Sequence, residues 1–365
     1  MADDTVTRPP AGPRRPPSLR ALAGRGRTLA GRATELIGQA AGVVRTLPGA
    51  LLPRGEGGDG SESITGYVSG HRMAAGARVA RAAVTISFEG GELRVLQHFG
   101  SRVVGWGSFP LDAAQLAGGE VLDAAGLGYS LDDLFDRGGF SRRHVVGALS
   151  GRRARSALLE VPPVGGEADL GEAVAEEAAR QLGHVPGESY LFWERAVRLR
   201  HGRAVFAVVI PQEPLLLLLE ALETAHVRPE SLDLKPLALA RAANQRDAII
   251  ASLEADGFDV VIVADDLPVA IRSAPLPTGV SEQGAREHLV AEVVRALADC
   301  RGGRTPVDSE SRVFVAGARA DELLREQLRL QTGHEIGTLA PPAYYPLDFP
   351  VAEQLANVGL ALKRE

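Results

Sequence analysis

The residue types that support most enzyme chemistry occur in this chain, but their spacing forms no catalytic motif. Eight histidines are scattered so that no two lie three or four residues apart, and Cys300 is the one cysteine. A structural zinc site needs four such ligands, so the sequence predicts no metal site. Ser150 follows Gly147 by three residues, which breaks the G-x-S-x-G spacing of a hydrolase nucleophile. No Walker loop or dinucleotide fingerprint is present either.

The acidic residues and the overall charge also point away from two common functions. Adjacent aspartates at Asp132–Asp133 and Asp265–Asp266 could ligate a cation, but paired aspartates are more typical of surface turns. The chain has 46 acidic and 40 basic residues, for a net charge of −6. Because it is acidic and has no nucleic-acid recognition module, the sequence predicts no nucleic-acid partner.

Length and composition predict a folded cytoplasmic protein with more than one core. The chain has 365 residues, of which 45% are hydrophobic and 24% charged. A single cysteine cannot form an internal disulfide, which fits a reducing compartment. No apolar run approaches the roughly 20 residues that cross a bilayer, and the N-terminus lacks the apolar core of a signal peptide.

Residues 1–70 differ in composition from the rest of the chain. Residues 14–45 include seven arginines but only one acidic residue, Glu35. Apolar residues in this stretch recur mostly at three- and four-residue steps. This pattern is typical of an amphipathic helix with a basic face, although each of its glycines weakens a helix by about 1 kcal/mol. Two interpretations stay open: a segment that binds an anionic membrane surface through residues 14–52, or a flexible solvated tail.

From about residue 80 the pattern changes to alternating strands and helices. Three short β runs come first, and a second group of three begins near residue 247, so the sequence predicts an α/β protein of two related lobes. The predicted strands are 82–88, 92–98, 102–109, 144–149, 155–161, 189–197, 204–210, 247–251, 259–264, 269–274 and 312–316. The predicted helices are 167–182, 214–226, 282–300, 321–330 and 351–362, with a short helix plus loop over 111–139.

Four passages, taken in order, carry a resemblance to a known family. They are Leu-Leu-Glu-Val-Pro at 158–162 with Glu-Ser-Tyr-Leu-Phe-Trp at 188–193, Ala-Val-Val-Ile-Pro at 207–211, Ser-Leu-Asp-Leu-Lys-Pro-Leu-Ala-Leu-Ala-Arg at 231–241, and Leu-Ala-Asn-Val-Gly-Leu-Ala-Leu at 355–362. From residue 80 onwards the chain resembles the PilM family, the actin-like cytoplasmic proteins of type IV pilus assembly that are related to the cell-division actin FtsA.

The resemblance implies an α/β, actin-like (ribonuclease H-like) two-lobe fold with an extra subdomain of the FtsA/PilM type. The implied organisation is a basic N-terminal extension at 1–70 and a first lobe at 80–245 that includes the extra subdomain at about 152–226. A second lobe follows at 246–365 and contains the closing C-terminal helix.

The resemblance also implies an ATP cleft between the lobes, and the first nucleotide hairpin departs from the family pattern. The family uses two glycine-containing hairpins and aspartates that organise magnesium. Here the first hairpin reads Ser-Phe-Glu-Gly-Gly-Glu-Leu-Arg at 87–94, so Ser87 replaces the aspartate. Glu89 and Glu92 place negative charge where a polyphosphate would lie. Arg94, at the position of the family's lysine, would offset part of that repulsion.

The second hairpin, 249–257, has alanine at the acidic position, and Asp256 could replace that acid only in a shifted register. The adenosine-side turn keeps one glycine, Gly317. The residues that match a degenerate nucleotide cleft are therefore Ser87, Gly90, Gly91, Arg94 and Gly317. We expect ATP with magnesium to bind weakly or not at all, and we predict a pseudo-ATPase with no catalytic residue.

The function implied by the resemblance is that of a scaffold at the inner face of the cell membrane. It would bind the cytoplasmic peptide of an inner-membrane PilN-like protein, with Tyr190, Phe192 and Trp193 as aromatic anchors. Because side chains alternate along a strand, one side of this segment must instead be interior. The alternatives are an active actin-like ATP-binding protein with unconventional site residues, an FtsA-like cell-division protein, and the cytoplasmic part of a type II secretion platform.

Overall fold

A computed structural model of the protein describes residues 83–162, 167–199, 202–302, 307 and 310–363. The predictions for residues 1–82 lie outside these ranges. The strands are β1 Ala83–Glu89, β2 Glu92–Phe99, β3 Arg102–Pro110, β4 Leu116–Ala117, β5 Glu120–Val121, β6 Val145–Leu149, β7 Arg155–Val161, β8 Ser189–Leu199, β9 Gly202–Pro211, β10 Pro229–Leu234, β11 Ala248–Leu253, β12 Gly257–Ala264, β13 Leu267–Pro275 and β14 Arg312–Ala316. The helices are α1 Ala124–Gly138, α2 Glu167–Leu182, α3 Gln212–Thr224, α4 Lys235–Ala243, α5 Glu282–Gly302, α6 Glu322–Thr332 and α7 Leu355–Ala361.

Two of the sheets share one topology. The first has the order β10-β6-β1-β2-β3, in which β1, β2 and β3 are antiparallel and β6 and β10 run parallel to β1. The second has the order β13-β12-β11-β14, again an antiparallel meander followed by a parallel strand beside its first member. The strands next to the parallel pairings are buried on both faces and read as continuous apolar runs, as in Ala248–Leu253. Each sheet is the centre of one lobe.

A third sheet, β7-β9-β8, forms a separate layer, and its strands β7 and β9 contact β13 of the second lobe. One face is covered by α2, whose apolar stripe at four-residue steps matches the stripe expected from the sequence. That stripe consists of Leu170, Val174, Ala178 and Leu182. The opposite face, including Leu158, Phe206 and Val208, joins the large core cluster to which both lobes contribute.

Helices α4 and α7 cross closely beside the junction of the lobes. A Cβ atom at Gly359 would lie 1.8 Å from the carbonyl oxygen of Ala238, so only glycine permits this approach. Arg241 stabilises the same crossing, because its side chain donates a hydrogen bond of 2.9 Å to the carbonyl of Gly359. Because α4 contacts strands of both sheets, it links the lobes.

Six elements differ from the sequence-based expectations: the last helix, α1, α4, β4, β5 and β10. The other predicted strands and helices begin and end within two residues of the prediction. The predicted start of the last helix at residue 351 was wrong. Residues 351–354 form turns, and the carbonyl of Glu353 accepts a hydrogen bond from Arg94. Strands β4, β5 and β10 and helix α4 were not predicted. The region 111–139, expected as a short helix plus loop, contains the 15-residue helix α1, because Asp123 caps its start and Gly139, at φ 63°, ends it. Within the described residues, no helix is long and apolar enough to cross a membrane.

Candidate functional site

The predicted first nucleotide hairpin forms a tight turn at the boundary between the lobes. Gly90 and Gly91 form the turn between β1 and β2 at φ values of 61° and 81°, a region that favours glycine. Ser87 on β1 donates a hydrogen bond of 2.7 Å to Glu89 and accepts one of 3.0 Å from the side-chain amide of Asn357 on α7. The side chain of Ser87 is therefore engaged within the protein.

Arg94 on β2 bonds with acidic groups of both lobes. Its two terminal nitrogens donate to the two carboxylate oxygens of Glu254, which follows β11, at 2.9 and 2.7 Å. One of them also lies 3.3 Å from Glu89 and 2.7 Å from the carbonyl oxygen of Glu353. The side chains of Arg94, Glu89 and Glu254 are at most 2% exposed. This bidentate geometry is the strongest form of the arginine–carboxylate pair.

Lys235 completes the arrangement from the first turn of α4. Its ammonium group lies 2.9 Å from Glu89 and 2.9 Å from Asp259 on β12 of the second lobe. Asp259 in turn accepts a hydrogen bond from Ser273. We call Glu89, Arg94, Lys235, Glu254 and Asp259 the interlobe cluster. With every member ionised it has two positive and three negative charges, all from buried residues.

The excess of negative charge affects the two glutamates differently: Glu89 stays ionised, and Glu254 binds a proton more readily than an ordinary glutamate. Burial opposes the ionisation of Glu89, but Lys235 and Arg94 outweigh it and hold the pKa of Glu89 at about 2. Burial and then the charge of Glu89 raise the pKa of Glu254 to about 7, although Lys235 and Arg94 act against this rise. Burial would lower the pKa of Lys235, but Asp259 and Glu89 raise it, so Lys235 stays charged.

The space beside the interlobe cluster is small, and Arg152 covers it. The cavity lined by Lys235, Glu254 and Asp259 has a volume of about 20 Å³, which is room for about one water molecule. The guanidinium of Arg152 donates a hydrogen bond of 2.9 Å to the backbone carbonyl of Asp256 and lies 3.5 Å from the carboxylate of the same residue. It lies so close to Gly118 and Gly257 that Cβ atoms there would be 1.3 and 1.9 Å from its nitrogens.

These residues do not fit a nucleotide with magnesium. The positive charge of Arg94 is directed at Glu254 instead of at open space, and the cavity is far smaller than a triphosphate. Asp256, the expected substitute for the missing acid, is paired with Arg152. In the part of the chain that the structure describes, no group of three or more histidine, cysteine, aspartate or glutamate side chains is arranged to hold a metal ion.

The backbone packing around Gly317, the expected adenosine-side glycine, by itself requires a glycine at this position. Its φ is 92°, and a Cβ atom there would lie 2.2 Å from the carbonyl oxygen of Leu253, the residue before Glu254. Its amide donates to the carbonyl of Ala352 at 2.8 Å. Gly317 thus lets the second lobe and the C-terminal segment approach the end of β11.

The three predicted aromatic anchors do not form one surface. Tyr190 and Phe192 lie on the face of β8 that packs against the core cluster shared by the two lobes, with ring centroids 6.4 Å apart. Trp193 lies on the opposite face and packs in the core under α2. The hydroxyls of Tyr190 and, on the same face of this sheet, Ser156 are buried and have no hydrogen-bond partner among the described residues.

Sequence reasoning missed Lys235, Glu254 and Asp259 as members of the site. One signal was available: the chain has only two lysines, and Lys235 interrupts the otherwise apolar stretch 234–240. A charged residue inside an apolar stretch is rarely buried without a partner. The sequence does not, however, indicate which acids provide that partner.

Comparison with known proteins supports the fold. No family model matches the sequence, and no curated protein matches it. A chain of the PilM–PilN type IV pilus biogenesis complex matches with a TM-score of 0.63 at 20% identity, over 78% of this chain and 98% of that one. The cytoplasmic domain of EpsL, an inner-membrane component of the type II secretion system of Vibrio cholerae, matches with a TM-score of 0.47 at 13% identity, over 78% of this chain and 96% of that one.

A protein with an actin-like ATPase fold from Bacteroides thetaiotaomicron also matches, with a TM-score of 0.47 at 12% identity, over 80% of this chain and 99% of that one. At 20% identity, the likeness to the chain of the PilM–PilN complex speaks for the fold alone. The fold expected from the sequence is confirmed: this chain is an α/β protein with the two-lobe actin-like architecture, and its fold is similar to that of the chain from the PilM–PilN complex.

Proposed function

We propose that the chain is a scaffold component of a type IV pilus or related secretion machine, and that its lobes are held together by its own ion pairs instead of by ATP. One observation carries this proposal: the bidentate Arg94–Glu254 pair joins the lobes at the position where the resemblance implies a nucleotide. Phosphoryl transfer depends on metal ions and positioned phosphates. With this space filled by side chains, binding a partner is the function that the geometry supports best.

The partner we propose is a short cytoplasmic peptide of a PilN-like inner-membrane protein, bound at the face of the third sheet that bears Tyr190 and Phe192. Tyr190 and Phe192 are half-buried there, and the hydroxyls of Tyr190 and Ser156 have no partner in the described residues. An unpaired buried hydroxyl is unfavourable by about 1–3 kcal/mol, so a peptide that supplied backbone groups would gain from pairing with them. Strand β8 is also an end strand of its sheet, and extended peptides commonly add to such strands.

The test is a direct binding measurement with a synthetic peptide. The peptide is the N-terminal cytoplasmic stub of a PilN-like protein encoded in the same genome, labelled for fluorescence anisotropy. We expect Tyr190→Phe, which removes only the hydroxyl, to weaken binding by about tenfold, and Phe192→Ala to weaken it further. Tyr129→Ala, at an exposed site on α1, is the matched control and should change nothing. Absence of binding by the parent chain would sink the proposal.

We further propose that the basic N-terminal segment adds attraction to anionic lipid and keeps the protein at the cytoplasmic face of the inner membrane. Residues 1–82 contain 12 arginines and 6 acidic residues. A basic residue near an anionic surface contributes about 1 kcal/mol. Co-sedimentation with vesicles that contain phosphatidylglycerol, compared with vesicles of phosphatidylcholine alone, tests this. Equal recovery with both kinds of vesicle would contradict it.

A further inference from the structure

Helices α1 and α3 pack side by side, and both have an exposed outer face. Their inner residues join the large core cluster, and the helices touch where a Cβ atom at Gly128 would lie 2.8 Å from the carbonyl oxygen of Ala221. Tyr129 and Glu220, the neighbours in sequence of these two residues, are both exposed. The contact between the helices therefore has a solvent-facing side that residues of both helices line.

This outer face carries apolar side chains. Leu122, just before α1, and Tyr129 are 58% and 70% exposed. On α3, Leu216 and Leu217 are partly buried and lie one turn before the exposed Glu220. Exposed apolar side chains that charged residues border are typical of an interaction site.

The same face is acidic. The segments 120–138 and 212–224 contain eight acidic residues and one arginine. Three arginines, one on α1 and two on neighbouring loops, pair with four of these acids: Arg137 with Asp133, Arg142 with Asp132 and Asp136, and Arg153 with Glu213. Negative charge is still in excess, and the carboxylate of Glu220 has no hydrogen bond or ion pair with any described residue. A basic partner with an apolar face would complement this surface.

The N-terminal part of the same chain has an apolar pattern that matches this face. A helix over residues 19–36 would place Leu22, Leu29 and Leu36 on one side, because they recur at seven-residue steps. Such a helix would be about 27 Å long, close to the 22 Å or so of the 15-residue helix α1. In length and in apolar side chains, this stretch and the outer face correspond.

The arginines of the stretch divide between two sides of such a helix. Arg25 and Arg32 would lie beside the leucines, where they would meet acidic groups that border an apolar surface. Arg20 and Arg27 would lie on the opposite side, away from any surface that the leucines contact. The stretch has these four arginines and a single acid, Glu35, so its charge complements that of the outer face.

The described chain also begins close to this face. Val84 in β1 donates a hydrogen bond of 3.0 Å to the carbonyl of His144. Two residues before His144, Arg142 donates to Asp132 on α1 and to the carbonyl of Ala225, directly after α3. The described chain therefore starts beside the C-terminal ends of both helices. Residues 37–82 can span at most roughly 150 Å, which is far more than the distance to any part of the face.

We propose that residues 19–36 dock on the outer face of α1 and α3 in the same chain, with the leucines against its apolar side chains and with Arg25 and Arg32 toward its acidic groups. Most helical stability in proteins comes from packing of an apolar face, so docking stabilises a helix that its glycines weaken. Because the stretch is tethered, its effective concentration is about millimolar, and an intrinsic Kd of about 0.1 mM keeps roughly nine in ten molecules docked.

Hydrogen–deuterium exchange of the full chain, measured without lipid, tests the docking. The amides of residues 19–36 should exchange about tenfold faster in the variant Arg25→Glu, Arg32→Glu than in the parent. The variant Arg20→Glu, Arg27→Glu makes the same change of charge on the opposite side and is the control, so its exchange should match that of the parent. Exchange of the core strands reports that each chain is folded. Neither the proposed peptide site nor the proposed attraction to lipid affects these results.

A substitution on the described surface tests where the stretch docks. Glu220→Arg should speed the exchange of residues 19–36 about fivefold, because docking that is weakened tenfold leaves about half of the molecules docked. Glu176→Arg, at an exposed site on α2, is the matched control and should change nothing.

Four results would overturn the proposal. The first is exchange of residues 19–36 in the parent at the rate of an unstructured peptide. The second is an equal loss of protection in the two arginine variants, and the third is unchanged protection in Glu220→Arg. The fourth is protection that rises with protein concentration, because a second copy would then supply the stretch.

Discussion

The guanidinium of Arg94 forms two parallel hydrogen bonds with the carboxylate of Glu254, at 2.9 and 2.7 Å, and so joins β2 of the first lobe to the end of β11 in the second. Both side chains are at most 2% exposed. Removing water from such a pair is unfavourable, and good geometry with further hydrogen bonds has to offset that term. Glu89, the Glu353 carbonyl and Lys235 supply those interactions. The relative position of the lobes is therefore set by side chains.

Glu254→Ala should destabilise the chain strongly because it leaves the Arg94 guanidinium buried without its main partner. We expect a loss of about 3–5 kcal/mol in the free energy of unfolding, measured by urea titration. The double variant Arg94→Met, Glu254→Leu removes both charges and should lose less than Glu254→Ala alone. Asp133→Ala, which breaks the exposed ion pair with Arg137, is the control, and it should lower the free energy of unfolding by no more than about 1 kcal/mol. Equal losses for Glu254→Ala and the control would contradict the role of the pair.

The raised pKa of Glu254 gives a signature in the pH dependence of stability. Between the ordinary value of 4.5 and the folded value of about 7, the folded chain binds more protons at this group than the unfolded chain does. The free energy of unfolding contributed by Glu254 therefore falls as the pH rises through this window. Glu254→Gln removes that dependence. Relative to this variant, the parent should lose roughly 1–3 kcal/mol from pH 4.5 to 7, measured by urea titrations at several pH values.

Subtracting the two curves cancels the contributions of the histidines, which both proteins share. Below pH 4.5 the pH dependence that Glu89 contributes has the opposite sign. Its pKa of about 2 lies below the ordinary value of 4.5, so its contribution to the free energy of unfolding is lost as the pH falls. Parallel curves for the parent and Glu254→Gln between pH 4.5 and 7 would show that the proton is not held at Glu254.

The crossing of α4 and α7 predicts opposite effects for two helical glycines. Gly359→Ala places a Cβ atom 1.8 Å from the Ala238 carbonyl, which separates the helices and should destabilise the chain by at least about 2 kcal/mol. Gly171→Ala, inside α2, meets no atom within 4 Å and should stabilise it by about 0.5–1 kcal/mol. Thermal unfolding of both variants beside the parent measures the difference. The packing account fails if Gly359→Ala unfolds at the parent's temperature.

The sequence predicted the lobes well because their strands and helices follow local periodicity. It did not predict the interlobe cluster, because Arg94 and Glu254 are 160 positions apart and no local pattern pairs them. Glu89 was expected to repel a phosphate, but its charge is instead balanced by Lys235 and Arg94. Strand alternation predicted that one side of 190–193 is interior. Both sides are in fact covered, one by α2 and the other by the core cluster shared by the two lobes, and a one-dimensional pattern does not distinguish these cases.

The central claim, that the interlobe cluster fills the space between the lobes in place of a nucleotide, is tested most directly by titrating the full chain with ATP and magnesium in a calorimeter at neutral pH. We predict no saturable heat up to millimolar ATP for the parent, with circular dichroism confirming that the protein is folded. Saturable micromolar binding that Arg94→Ala abolishes would contradict the claim, because Arg94 would then be bonding to phosphate and not to Glu254.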